Sequence, residues 1–372
     1  MFSLKIPQNL KVSRTANNHN VLNPDNKYRL SLCVLCGLLL IYNLSVLSCE
    51  RPEHSRADVA LGTVCTVTLF DQGKSSIYND IFKRISEIEN LMSVRIPTSD
   101  ISRINAAAGI KPVQVHEETF KVIKRAVYYA ELCGGAFDPT IGPLVSLWGF
   151  YNDNPRIPSQ EEIDIVLPLI NWRNIELDPE TNSVFLTQHN MTLDLGAIAK
   201  GYAADESARI AREAGITAAI IDLGGDIMLL GVKKDKSLWK VGLQNPDEDQ
   251  GFTIGYLQIP ESSVVTSGVY ERFFIEEGIR YHHIFQPSDG YPVNNGLLSV
   301  TIIAKNSMDA DALSTAAFVL GYQKGRVLIE SLPSVEAVFI FQDYTIRTTT
   351  GVNLVITDKS FNLLTTELHR VF

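Results

Sequence analysis

Cysteine is scarce in this chain, five in 372 residues, and the five do not group. Cys33, Cys36 and Cys49 fall in or just after one apolar run, which leaves Cys65 and Cys133 for the body. Two isolated thiols give neither a disulfide framework nor the paired spacing of a zinc site, so both are expected to pack as small apolar side chains. Positive charge is also short: 33 Lys and Arg face 42 Asp and Glu, a net of −9. No dense Lys/Arg cluster follows the first fifty residues, which argues against a nucleic-acid partner. Internal repeats and low-complexity linkers are missing too. With 45% apolar residues there is material for one large core, and residues 59–372 are expected to form a single domain.

What is present begins with a contrast. Residues 1–29 are polar and carry Lys5, Lys11, Arg14, Lys27 and Arg29 against one acid, Asp25; Leu30 to Ser48 then holds no charge at all. A cationic stretch before an apolar run is an export signal or a membrane helix. The run closes on Leu44-Ser45-Val46-Leu47-Ser48-Cys49, which resembles a relaxed bacterial lipobox. Residues 1–48 are therefore expected to be a leader, Cys49 the lipidated residue, and residues 49–58 a tether, with an uncleaved anchor helix as the alternative. Either way the body lies outside the cytoplasm, and on the first reading at the periplasmic face of the inner membrane. Losing the leader's five basic residues and one acid takes the net charge from −9 to about −13.

Periodicity outlines the body. Ala60–Phe70 alternates as a strand, while 76–92, 117–133, 200–214 and 310–320 carry apolar residues at helical spacing. Ser159, with an acid three residues on, opens a capped helix over 159–169. Strands are expected at 218–222, 264–266, 272–275, 298–304, 337–341 and 353–357, and a hairpin at 229–241.

Five short segments break this pattern. Gly134-Gly135-Ala136-Phe137-Asp138-Pro139-Thr140 either lets backbone approach a ligand or simply stops a helix. Leu193-Asp194-Leu195-Gly196-Ala197-Ile198-Ala199-Lys200-Gly201 reads as a strand end, a glycine turn and a helix start. Such a junction suits a phosphate, with Lys200 adding a cation and Asp194 an acceptor, although an ordinary turn with a solvated lysine has the same residues. Asp222-Leu223-Gly224-Gly225-Asp226 is a strand followed by a flexible turn, expected only to shape a site. His282 and His283, following Val265-Thr266-Ser267-Gly268, point to opposite strand faces, so one can face a pocket while the other is a core histidine. In Met308-Asp309-Ala310-Asp311-Ala312-Leu313-Ser314-Thr315, Asp311 and Thr315 share a helix face, and carboxylate, hydroxyl and carbonyl oxygens suit a hard cation such as Mg²⁺.

In this order, together with Ser99-Asp100-Ile101-Ser102-Arg103-Ile104-Asn105 and Thr266-Ser267-Gly268-Val269-Tyr270-Glu271-Arg272, the segments resemble the ApbE-like FAD:protein FMN transferases, from about Leu61 to the chain end. The resemblance implies an α+β fold, a single large domain of mixed sheets flanked by helices with a deep flavin-nucleotide cleft. It implies Mg²⁺ and FAD, the latter as substrate, and transfer of FMN to a Ser or Thr of an exported redox protein with release of AMP. An FAD diphosphatase and a non-catalytic, FAD-storing lipoprotein are the rival expectations. By position, the metal ligands would be Asp311, Thr315 and the carbonyl of Ala197. FAD contacts would fall on Leu61, Arg95, Ala136, Phe137, Asp138, Asp194, Lys200 and Ile284, with His283 beside the diphosphate and either Asp311 or His283 as the base. Two departures stand out: Arg95 where relatives usually carry Tyr, and Gln286 where they carry Asp before Pro287.

Overall fold

The computed structural model describes residues 55–71, 75–150 and 155–364; the expected leader, Cys49 and the first part of the expected tether lie outside them. From Ser55 the chain is already a strand. Strand β1 (Ser55–Ala60) pairs antiparallel with β2 (Thr63–Leu69) across Leu61 and Gly62, both at positive φ. A tether reaching Asp58 is thus corrected: Ala57, Asp58 and Val59 are exposed on an edge strand, where polar and charged residues are tolerated.

The central sheet has nine strands in the order β1-β2-β6-β7-β10-β13-β14-β15-β17. Its remaining members are β6 (Ala218–Leu223), β7 (Asp226–Gly231), β10 (Ser263–Gly268), β13 (Leu297–Ala304), β14 (Glu336–Phe341), β15 (Thr345–Thr348) and β17 (Asn362–Leu363). Neighbours are antiparallel except β15 and β17. Every residue of β13 is buried, as its unbroken run Leu-Leu-Ser-Val-Thr-Ile-Ile-Ala requires. Helices α1 (Ser75–Met92), α6 (Ala199–Glu213) and α7 (Ser307–Glu330) pack together: α7 lies on β10 and β13, α6 on β6 and β7, and α1 against α6. Helix α7 kinks at Gly321 (φ 72°, ψ 172°), one residue past the stretch whose apolar spacing marks it as helical.

Between these lie α2 (Asp100–Ala106), α3 (Glu117–Leu132), α4 (Gly142–Trp148) and α5 (Gln160–Val166). The capping box at Ser159 and Glu162 forms as its spacing dictates. Three smaller sheets complete the fold: β3 (Val113–Gln114) with β4 (Ile175–Asp178) and β5 (Ser183–Leu186); β8 (Trp239–Gln244) with β9 (Thr253–Ile259) and β16 (Leu354–Ile356); and the pair β11 (Phe273–Glu276) and β12 (Ile279–His282).

Two expectations fail here for identifiable reasons. Residues 229–241 are not a hairpin: β7 pairs with β6 and β10, whereas β8 pairs with β9 in another sheet. The alternation on either side of Val232–Leu238 belongs to two separate sheets, and the Trp239 indole, donating to Gly231 O at 2.9 Å, links the two ends. Nor does a strand precede α6. The side chain of Asn105 takes the place of a neighbouring strand, accepting from Leu193 N at 2.7 Å and donating to Leu193 O at 3.0 Å, while Asp194 N donates to Pro139 O.

The amino ends of α6 and α7 cap each other. Asp205 on α6 accepts from the amides of Ser307 (2.8 Å) and Met308 (3.0 Å), and Asp311 on α7 accepts from the amide of Gly201 (3.1 Å). Neither helix has a cap of its own, since Ile198 and Asn306 make no capping side-chain bond. The approach needs glycine at 201, because a Cβ there would come within 2.2 Å of Ser307 O. Asp205→Ala should therefore destabilise the fold by about 1–3 kcal/mol through the two amides it strands, measurable by chemical denaturation; an unchanged midpoint would remove the cap from the account.

Candidate functional site

A cavity of about 420 Å³ opens where α6, α7, β10, the β6–β7 turn and the loop after α3 converge. All twelve residues expected of the site body line it: Leu61, Arg95, Ala136, Phe137, Asp138, Asp194, Ala197, Lys200, His283, Ile284, Asp311 and Thr315. Cys49 alone falls outside the described residues.

Each arrives for a local reason. The double glycine after α3 is first a helix stop: Gly134 and Gly135 sit at φ 64° and 88°, Gly135 N reaching Ala130 O and Gly134 N reaching Glu131 O. The turn delivers Ala136, Phe137 and Asp138 to the cavity wall. There the Asp138 carboxyl is largely occupied, Oδ1 accepting from Thr140 N (2.9 Å) and Thr140 Oγ1 (2.6 Å) and Oδ2 from Trp172 N (3.1 Å). It braces the loop, and burial raises it above the usual carboxylate range despite those donors. Asp194 likewise accepts from Gly196 N at 2.7 Å, closing the turn before α6.

At the amino end of α7 the two acids of the Met-Asp-Ala-Asp segment diverge. Asp309 faces outward, both oxygens 2.8 Å from Arg125 on α3. Asp311 is buried at 3% exposure and faces the cavity. Thr315, one turn on, lies 3.2 Å from Ser267 Oγ, which also meets Ser314 Oγ at 2.8 Å. Lys200 is not a solvated lysine: its ammonium is 2.7 Å from Asp226 Oδ1 and 3.7 Å from Asp311 Oδ1. Burial alone would push that ammonium down, but the two carboxylates hold it above an ordinary lysine.

Asp226 is the residue sequence reasoning missed. The turn that places it at the cavity has Gly224 and Gly225 at φ 69° and 96°, and a Cβ on Gly224 would meet Thr63 Oγ1 at 2.2 Å. Burial, and then the neighbouring Asp311 charge, raise Asp226 well above the usual carboxylate range. The signal was an acid directly after a glycine pair and directly before the apolar Ile-Met-Leu-Leu run, where an ionised side chain needs a partner. Glu271 and Arg272 also line the cavity without having been given a role.

The adjacent histidines separate as their alternation requires. His282 is a satisfied core residue, its Nε2 donating to Val293 O (2.9 Å) and its Nδ1 accepting from Ile284 N (3.3 Å). His283 lines the cavity with Nδ1 3.2 Å from Arg272 O. Burial, with the Arg272 charge beside it, pushes His283 down to about 3, so it is neutral. With Nδ1–H donating to that carbonyl, Nε2 keeps a free lone pair.

Among the described residues no three His, Cys, Asp or Glu side chains gather as a metal cage. A cation here would take hydroxyl and carbonyl oxygens beside carboxylate, a donor set that fits Mg²⁺ and not Zn²⁺.

Fold and site together define an α+β protein with a carboxylate-lined cavity at paired helix ends. The ApbE family profile matches residues 61–339, and the chain belongs to that family. It is 35% identical over 342 residues to the FAD:protein FMN transferase of Treponema pallidum, covering 86% of this chain and 92% of that protein. It is 38% identical to one from Klebsiella pneumoniae, covering 78% and 90%. Among solved structures, the ApbE protein of Thermotoga maritima superposes with a TM-score of 0.72 at 35% identity, covering 82% of this chain and 96% of that one. The flavin transferase ApbE of Vibrio cholerae gives 0.70 at 28%, covering 82% and 97%.

Burial holds His282 at about 4 against an ordinary 6.5. Below 6.5 the unfolded chain binds the proton that the folded chain refuses, so the His282 contribution is present above that pH and is lost as pH falls towards 4. His282→Asn should flatten the stability profile between those values in urea titrations; an unaltered slope would contradict the assignment.

Proposed function

We propose that this protein is a magnesium-dependent FAD:protein FMN transferase, moving FMN from FAD to a Ser or Thr hydroxyl of an exported redox protein and releasing AMP. The observation that carries the proposal is the meeting of buried Asp311 with Thr315, Ala197 and the amino end of α6 on one cavity wall. The names of the relatives support the transferred group and the class of acceptor.

Asp311, Thr315 and the Ala197 carbonyl would hold the cation, and the buried Asp226 Oδ2, which accepts no hydrogen bond among the described residues, lines the same cavity. When bound, Mg²⁺ neutralises a diphosphate and stabilises the departing AMP phosphate. The chain's own groups do the rest. Lys200 and Arg272 bring positive charge to the cavity, and the amino end of α6 adds its dipole to attract phosphate. The acceptor hydroxyl attacks the phosphorus on the FMN side, and the bond from that phosphorus to the AMP oxygen breaks. Its proton goes to His283 Nε2, because Asp311 is already engaged by Gly201 N and faces Lys200. A bound diphosphate would raise the basicity of a histidine that burial has lowered.

Export and lipidation at Cys49 are part of the same proposal, supported by the uncharged run before it. They place the cavity on the side of the membrane where an exported acceptor resides.

With FAD, Mg²⁺ and an acceptor peptide, the purified protein should release AMP and add the mass of FMN to the peptide, and EDTA should stop both. Asp311→Asn should slow AMP release by about 10²-fold or more, and His283→Asn by roughly 10²–10⁴-fold with FAD still bound. AMP with no peptide mass shift would make the protein a diphosphatase, and intact, tightly held FAD a reservoir. Cys49→Ser should move the protein from the membrane to the soluble fraction; unchanged membrane retention would favour the uncleaved helix.

A further inference from the structure

Asp226 has an oxygen too many. Its Oδ1 is paired with the Lys200 ammonium at 2.7 Å, but Oδ2 is buried and accepts no hydrogen bond among the described residues. The side chain is 2% exposed, lines the cavity, and lies close enough to Asp311 for that charge, after burial, to raise the cost of ionising Asp226. Asp311 uses Oδ2 to cap α6 through Gly201 and leaves Oδ1 facing Lys200 at 3.7 Å. Lys200 is thus ion-paired with both buried carboxylates, and Asp226 Oδ2 is left without a donor among the described residues. An unpartnered carboxylate oxygen at that depth is expensive, and two carboxylates this close repel unless a proton or a cation sits between them.

We propose that Asp226 is a second carboxylate ligand of the divalent cation site, and that Lys200 holds the same two carboxylates when the cation is absent. This rests on the magnesium reading of Asp311 and Thr315 above. The coordination count favours it. Mg²⁺ takes six oxygens and is typically held by one or two carboxylates plus substrate phosphates. Asp311, Thr315, the Ala197 carbonyl and Asp226 would supply four, leaving two for the oxygens of a diphosphate. The two cations then compete for Asp226 and Asp311, and metal binding frees the Lys200 ammonium within the cavity, where it can meet phosphate. Ordered uptake follows: cation entry and the availability of Lys200 are one event.

The test is Mn²⁺ binding to the full chain without flavin, read by loss of the free-ion electron paramagnetic resonance signal, alongside thermal melting. Asp226→Asn keeps the volume and removes the charge, so it should weaken Mn²⁺ binding by roughly 10-fold or more. Lys200→Met removes the competitor, so it should bind Mn²⁺ more tightly than the parent and gain more thermal stability from it. If Asp226 merely positions Lys200, Asp226→Asn will melt lower and bind Mn²⁺ as the parent does, and Lys200→Met will bind it no better; that result overturns the proposal. If the parent itself, and Asp311→Asn equally, take up no Mn²⁺ even with AMP present, it is the magnesium reading that fails, and this one with it.

Discussion

Two helices that end at the same point, each supplying the other's missing cap, set the position of everything chemical in this protein. Asp205 of α6 receives the first amides of α7, and Asp311 of α7 receives an amide of α6. The exchange is possible because residue 201 has no side chain to hold the helices apart. Its consequence is that Asp311 is fixed through its backbone and through one carboxylate oxygen, while the other oxygen is left facing the cavity. A functional group held on both sides in this way loses little further freedom when a ligand arrives, which is what preorganisation requires.

The same junction concentrates charge. Lys200 is next to Gly201 and meets Asp226 at the β6–β7 turn, so two helix ends, a hairpin turn and a salt bridge converge on one partly buried cavity. The sheet explains why the turn can reach. Strand β7 pairs with β6 on one side and β10 on the other, and Asp226 is its first residue, with Asp222 Oδ1 accepting from Gly225 N at 2.9 Å to close the turn. Thr266 and Ser267 enter from β10 on the same cavity wall. The β-strand scaffold and the helix pair are thus not separate supports; they are tied by the Lys200–Asp226 ion pair.

Much of this was legible in the chain. The helical spacing of Asp311 and Thr315, the opposite faces of His282 and His283, and the stop at Gly134-Gly135 each depend on local geometry, which sequence carries well. The family resemblance carried by the order of the motifs implied twelve site residues, and all twelve line one cavity. What sequence did not carry is non-local. Nothing in Leu193-Asp194 says that Asn105 will take the place of a strand partner, and the alternation around Val232–Leu238 cannot reveal that its halves belong to different sheets. Asp205 looks like one more acid on a helix until α7 is brought to it. Asp226 was seen as part of a turn, because its meaning lies in the facing of Asp311, a contact between residues far apart in the chain. The exposed charges of β1 suggested a tether because an edge strand and a linker present similar residues to water.

The most direct test is crystallographic: crystals of the protein with FAD and Mn²⁺, with anomalous scattering locating the metal. The account expects one anomalous peak within coordination distance of Asp311 and Thr315, about 2.0–2.2 Å for oxygen ligands of a small divalent ion, with the FAD diphosphate against it and His283 alongside. A flavin bound elsewhere, or a diphosphate in this cavity with no metal at Asp311, would contradict it.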